Sequence, residues 1–138
     1  MIRGVASKVI RGWAVLDLVV SAVFAVPPLA ALLVGLLYAL NGRLGGAAAA
    51  PSFEPVHWLF VCLMGTLGMV WAVGRLVEPV RTLGLIDAVA RLWVSALIAY
   101  FVFAGGAPVA LVLFIATELG GALHQFWVLR RPARDARW

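Results

Sequence analysis

Five ionisable side chains interrupt otherwise apolar stretches of this chain: Asp17, Asp87, Arg91, Glu118 and His124, with Arg75 closing another such stretch. An ionisable group at the centre of a bilayer costs about 2.5–3.5 kcal/mol even on lenient insertion scales, so each requires a partner or a use. Several uses fit these residue types. Arg91 paired with Glu118, with Asp17, Asp87, Arg75 and His124 completing a network, could do no more than lock helices together. The same groups could form the polar floor of an internal cavity, closed above by Phe24, Trp71, Trp93 and Phe114. Glu118 could carry a proton in a small transporter, with Arg91 modulating its affinity. Glu118 and Asp87 could also act as acid and base on a lipid or isoprenoid, with His124 in support, provided they converge on a bound substrate within hydrogen-bond reach.

Helical phase favours a shared interior. Asp87, Arg91 and Ser95 fall at i, i+4 and i+8 and draw one polar stripe. Asp17, Ser21, Phe24 and Pro28 share a face. Gly65, Gly68, Ala72 and Arg75 form a small-residue face ending in a cation, suited to close helix approach. Glu118, Gly121, Ala122 and Gln125 line up, whereas His124 lies about 120° away and faces a different neighbour. At 1.5 Å rise per residue, Asp17, Asp87 and His124 lie ~6–8 Å inside the nearer membrane boundary, Arg91 ~12 Å and Glu118 ~16 Å.

The elements that must position these groups are four apolar stretches, about 13–40, 56–76, 83–103 and 108–129. A spanning helix needs about 20 mostly apolar residues, so each stretch is long enough to cross once. The reading is an all-α, single-domain integral membrane four-helix bundle over residues 1–138, with the first helix kinked at Pro27-Pro28. Nine of the eleven Lys and Arg residues lie on one side: Arg3, Lys8, Arg11, Arg75, Arg81, Arg130, Arg131, Arg134 and Arg137. Short loops rich in Lys and Arg stay cytoplasmic, which gives N-in, four passes, C-in. Val77–Gly84 on the inside and Gly105-Gly106-Ala107-Pro108 on the outside are tight turns, and each makes its flanking helices antiparallel neighbours. The loop from Asn41 to Pro55 reads as flexible and unspecialised, with a short helix over Ala47–Ala50 as the alternative. Trp13, Trp58, Trp71, Trp93, Tyr100, Trp127 and Trp138 fall mostly near span ends, as in aromatic belts.

A hydrophobic fraction of 64 % with 12 % charged residues excludes an ordinary soluble domain. The formal charge of +5 sits at helix ends and sets topology, so nucleic acid is not a partner. The basic start resembles a signal peptide, but its apolar run outlasts the roughly 7–15 residues of an h-region and is retained as the first helix. The single cysteine, Cys62, lies within a span and is a small packing residue. No glycine-rich phosphate loop, HExxH or nucleophile elbow occurs. His57 and His124 begin and end different spans on opposite sides and cannot share a haem or metal. No metal ligand, cofactor or catalytic residue is assigned. Gly120-Gly121 reads as a close-packing site.

The segment DAVARLWVSALIAYFVFAGGAPVALVLFIATELGGAL, residues 87–123, places an acid and Arg early in one span and Glu in the next, across a Gly-Pro turn. In this it resembles small four-helix bacterial membrane proteins of the DoxX-like type. The architecture is also similar to emopamil-binding-like bundles, which enclose a lipophilic ligand beside buried acids. The resemblance implies a membrane-embedded pocket or an accessory subunit of a redox or transport assembly. With so short a chain and such minimal loops, the leading reading is a non-enzymatic protein of the bacterial inner membrane that binds a lipophilic ligand among its helices or docks onto a larger membrane complex. Its partners would be membrane lipids, a lipophilic small molecule, and either further copies of itself or another membrane protein.

Overall fold

A computed structural model describes residues 2–130, so Arg131, Arg134, Arg137 and Trp138 lie outside the described residues. Those described are helical wherever they are regular: α1 (Ile2–Ala25), α2 (Pro27–Arg43), α3 (Pro55–Val77), α4 (Arg81–Phe103) and α5 (Val112–Leu129), the last entered through a single 3₁₀ turn over Val109–Leu111. The last three helices sit on three of the apolar stretches and are long and apolar enough to cross a membrane.

The first stretch behaves differently. In place of a kink the chain breaks at Val26, and α2 leaves at 102° to α1. Val26 is extended (φ −107°, ψ 112°), the conformation that the residue before a proline prefers. Pro27 and Pro28 then occupy the first positions of a new helix, where a missing N–H is no loss. One helix would have had to carry two prolines mid-span; two helices carry none in an interior.

α1 and α3 pack antiparallel along their small-residue faces. A Cβ at Gly65 would stand 2.6 Å from the carbonyl carbon of Phe24 and 2.8 Å from the carbonyl oxygen of Ser21, so only glycine admits α1 this closely. α4 and α5 form the second antiparallel pair, and a Cβ on Gly121 would lie 3.1 Å from Arg91 Cδ. Gly120, its neighbour, faces open space. The short link between α3 and α4 does not make them packed neighbours. Their backbones scarcely approach, and the two pairs meet chiefly where α1 lies against α5 and α4. Side chains, not backbones, bridge the remaining gap.

At the end carrying Arg11, Arg81 and Arg130, Ile10, Leu129 and Gly84 are buried together, and Arg81 Nε donates to the Leu129 carbonyl at 2.9 Å. This seals the bundle at that end. At the other end α1 stops beside Gly65, ten residues and so ~15 Å short of the start of α3. α2 turns across this shortfall and docks on the 3₁₀ turn that leads into α5. Its anchor is Asn41, fully buried, which accepts from Val109 N–H at 2.7 Å and donates to the Ala48 carbonyl at 3.2 Å. The loop after α2 is therefore tied down by Asn41, and the alanines from 47 to 50 run without helix. α3 starts with a reciprocal cap: Glu54 N–H donates to His57 Nδ1 at 3.0 Å, and the Glu54 side chain accepts from the His57 backbone.

Candidate functional site

The polar stripe of α4 builds the site. Asp87, Arg91 and Ser95 are all buried on the face that meets α5 and α1. Ser95 Oγ donates back to the Arg91 carbonyl at 2.8 Å and needs no other helix. Arg91 uses all of its guanidinium nitrogens, each on a different carboxylate: Nε on Asp87 at 3.0 Å, one terminal nitrogen on Glu118 at 3.0 Å, the other on Asp17. Those acceptors come from α4, α5 and α1, so one planar fork fixes three helices at once. Arg75, from α3, donates to Asp17 at 2.5 Å. It also stands 2.6 Å from Asp87 Oδ2, but outside hydrogen-bonding alignment, so that contact is electrostatic.

Asp87 is the hub. Besides its hydrogen bond from Arg91 and its ionic contact with Arg75, it accepts from Trp71 Nε1 at 2.8 Å and from Gln125 Nε2 at 2.8 Å. The two tryptophans nearest the cluster turn inward: Arg91 lies over the Trp13 ring at 5.0 Å and Arg75 over the Trp71 ring at 5.6 Å. Neither behaves as a belt residue. Trp13 also donates to His124 Nδ1 at 3.3 Å, so His124 stays outside the ion-pair cluster and touches it only through Trp13.

Five of the six residues singled out by the sequence thus converge, and His124 does not. Trp13 and Gln125 join them unheralded, because their roles depend on which helices are neighbours. Gln125 does share the Glu118 face, the one signal that could have found it. Trp93 was expected to close the cavity but is 67 % exposed, since it lies two residues, or about 200°, from Arg91 on the helix.

The cluster forms the floor of a cavity. A space of about 540 Å³ is bounded by all five members together with Trp71. It adjoins an apolar chamber of about 590 Å³ lined by Phe24, Phe60, Met64 and Ile98. Val20, Ser21, Leu37, Val94 and Phe114 line both, so the two are one elongated space with a charged floor and apolar walls. Leu37 of α2 lies over it. Phe60, Met64 and Val94 line this space while also being exposed on the outer surface, so it opens sideways between α3 and α4. Leu16 and Leu113 mark a second opening between α1 and α5.

Among the described residues no group of His, Cys, Asp and Glu is arranged to hold a metal ion. Fold and site define a multi-pass membrane protein, all-helical where described, with a charged cluster at the base of a cleft that is open at its sides. Comparison with protein-family models, with characterised proteins and with solved structures returns no match.

Proposed function

We propose that the chain is a non-enzymatic membrane protein that binds an amphiphile in its helix bundle, the apolar chain in the upper chamber and the polar head on the charged floor. The observation that carries this reading is the position of the cluster. A set of ion pairs needed only for packing is best sealed, because buried charges are stabilised by full satisfaction and hurt by partial hydration. Here Asp17 and Glu118 keep 21 % of their side-chain surface accessible at the base of the cavity. The walls above are apolar and the space opens sideways, towards where lipid tails would lie, which suits a ligand arriving from the membrane.

In this reading the four crossings are α3, α4, α5 and the broken α1–α2 pair, whose second arm lies across the outer mouth. The arginine-rich end faces the cytoplasm, in keeping with Arg11, Arg75, Arg81 and Arg130 against Arg43 alone at the far side. The membrane is the bacterial inner membrane. The seal of Ile10 and Leu129 below the cluster favours a binding site over a transport path, which would need access to both sides.

The test is photolabelling in lipid nanodiscs with a long-chain alcohol bearing a diazirine near its tail, followed by peptide mass spectrometry. A label is expected on Phe114, whereas Phe60 and Met64, which also face outward, are labelled in either case. Labelling confined to outward residues such as Trp93 and Leu123, with none on Phe114, overturns the reading.

A further inference from the structure

The charges at the floor do not balance, and the imbalance has a direction. Arg75 and Arg91 supply two positive charges; Asp17, Asp87 and Glu118 supply three negative ones, leaving one negative charge in excess. A pair of arginines in a membrane cavity suggests an anionic head at first sight, such as a phosphate or a fatty carboxylate. The accessibility of the five groups says the opposite. The side chains of Arg75 and Arg91 are 0 % and 4 % exposed, and Asp87 is 5 % exposed, whereas Asp17 and Glu118 each keep 21 %. The cations lie behind, already committed to carboxylates of this chain, and what the cavity meets is carboxylate.

The free acceptors are identifiable. Asp17 receives both arginines on Oδ2, and Glu118 receives Arg91 on Oε2. Neither Asp17 Oδ1 nor Glu118 Oε1 has a hydrogen-bond donor among the described residues. Because Asp17 and Glu118 are held by the two adjacent terminal nitrogens of one guanidinium, they stand side by side. Two neighbouring acceptors with one uncompensated negative charge, at the base of an apolar chamber, match a head that is a donor and carries a single positive charge.

We infer that the ligand is a lipophilic monocation, an amine with a long apolar chain, whose ammonium group hydrogen-bonds Asp17 Oδ1 and Glu118 Oε1 and neutralises the cluster. This rests on the cavity reading above and adds the sign of the head group. An anionic head would take the net charge of the floor from −1 to −2 in a medium of low dielectric, and a neutral alcohol could donate to one acceptor but leave the charge in place.

The test is competition against the photoreactive alcohol by three probes of one chain length: tetradecylamine, tetradecanol and tetradecyl sulfate, each at matched mole fraction in nanodiscs. Tetradecylamine is expected to protect Phe114 at a mole fraction at least tenfold below that of tetradecanol, with the sulfate weakest. In Glu118→Gln the advantage of the amine over the alcohol should shrink at least fivefold. Equal protection by all three, or stronger protection by the sulfate, overturns the inference and leaves the cavity reading standing. If none of the three protects Phe114 in the unaltered protein, the cavity reading itself fails. The unaltered protein alone decides between these outcomes, so the conclusion does not depend on how well the variant folds.

Discussion

Removing Arg91 and removing Glu118 should have very different consequences, although the two side chains are partners at 3.0 Å. The cluster carries two cations and three anions. Arg91→Ala takes its formal charge from −1 to −2 and strips Asp17, Asp87 and Glu118 of a shared donor at a position where the arginine is 4 % exposed. Deleting one partner of a buried pair costs about 3–5 kcal/mol, and the loss here belongs at the upper end because three helices are held by the one group. Glu118→Gln takes the charge from −1 to zero. It exchanges an ion-paired hydrogen bond for one from the Arg91 guanidinium to a neutral amide oxygen, a loss of about 1 kcal/mol, and offsets that by relieving repulsion with Asp17 and Asp87. Its net effect should lie within about 1 kcal/mol of zero. The pair Arg91→Ala with Glu118→Ala returns the cluster to −1 and should be less damaged than Arg91→Ala alone, with a coupling of about 1–3 kcal/mol. Reversible unfolding in mixed micelles by titration with sodium dodecyl sulfate, followed by circular dichroism, measures each of these. If Glu118→Gln proves as destabilising as Arg91→Ala, or if the double variant loses the plain sum of Arg91→Ala and Glu118→Ala measured singly, the charge imbalance does not govern the cluster.

Other substitutions probe other parts of the account. Arg91→Lys should lose more than Arg75→Lys by about 1–3 kcal/mol in the same titration, because Arg91 uses every guanidinium nitrogen whereas Nε of Arg75 has no acceptor among the described residues. Gly65→Ala should lower unfolding stability by about 1–3 kcal/mol through the clash with α1, whereas Gly120→Ala, which meets open space, should be neutral or gain up to about 1 kcal/mol. Equal effects at the two glycines would contradict the packing of α1 on α3. Asn41→Ala should cost about 1–3 kcal/mol and free α2, seen as faster protease cleavage between α2 and α3; unchanged cleavage would show that Asn41 does not hold this segment. Leu37→Trp should fill the junction of the two chambers and abolish photolabelling of Phe114 with circular dichroism unchanged.

What the sequence revealed and what it hid follow from the same physics. The apolar stretches 56–76, 83–103 and 108–129 match α3, α4 and the turn leading into α5 to within two residues, because length and hydropathy suffice to define a membrane helix. The stripe Asp87, Arg91, Ser95 and the glycine face of α3 were visible because 3.6-residue periodicity needs no knowledge of neighbours. The first stretch misled because hydropathy is blind to direction: Pro27 and Pro28 are equally compatible with a bent helix and with the start of a new one, and only packing selects the 102° turn. The inward role of Trp13, the place of Trp71 beside the floor and not above it, the bond from Gln125 and the anchoring role of Asn41 were hidden for another reason. Each is defined by a contact with a different helix or turn, and neither composition nor period reports which elements touch. His124 shows the limit of depth as a guide. It shares the level of Asp87 along the bundle, but its phase on α5 carries it to Trp13.

The central claim is that the charged-floor cavity holds an amphiphile, and native mass spectrometry of the protein released gently from its own membrane tests it most directly. A stoichiometric small lipophilic molecule, bearing a basic nitrogen, is expected to stay with the unaltered chain and to be lost from Leu37→Trp. A chain that carries only the bulk lipids of the membrane, in the same proportions as Leu37→Trp, or that retains a partner protein and no small molecule, would contradict it.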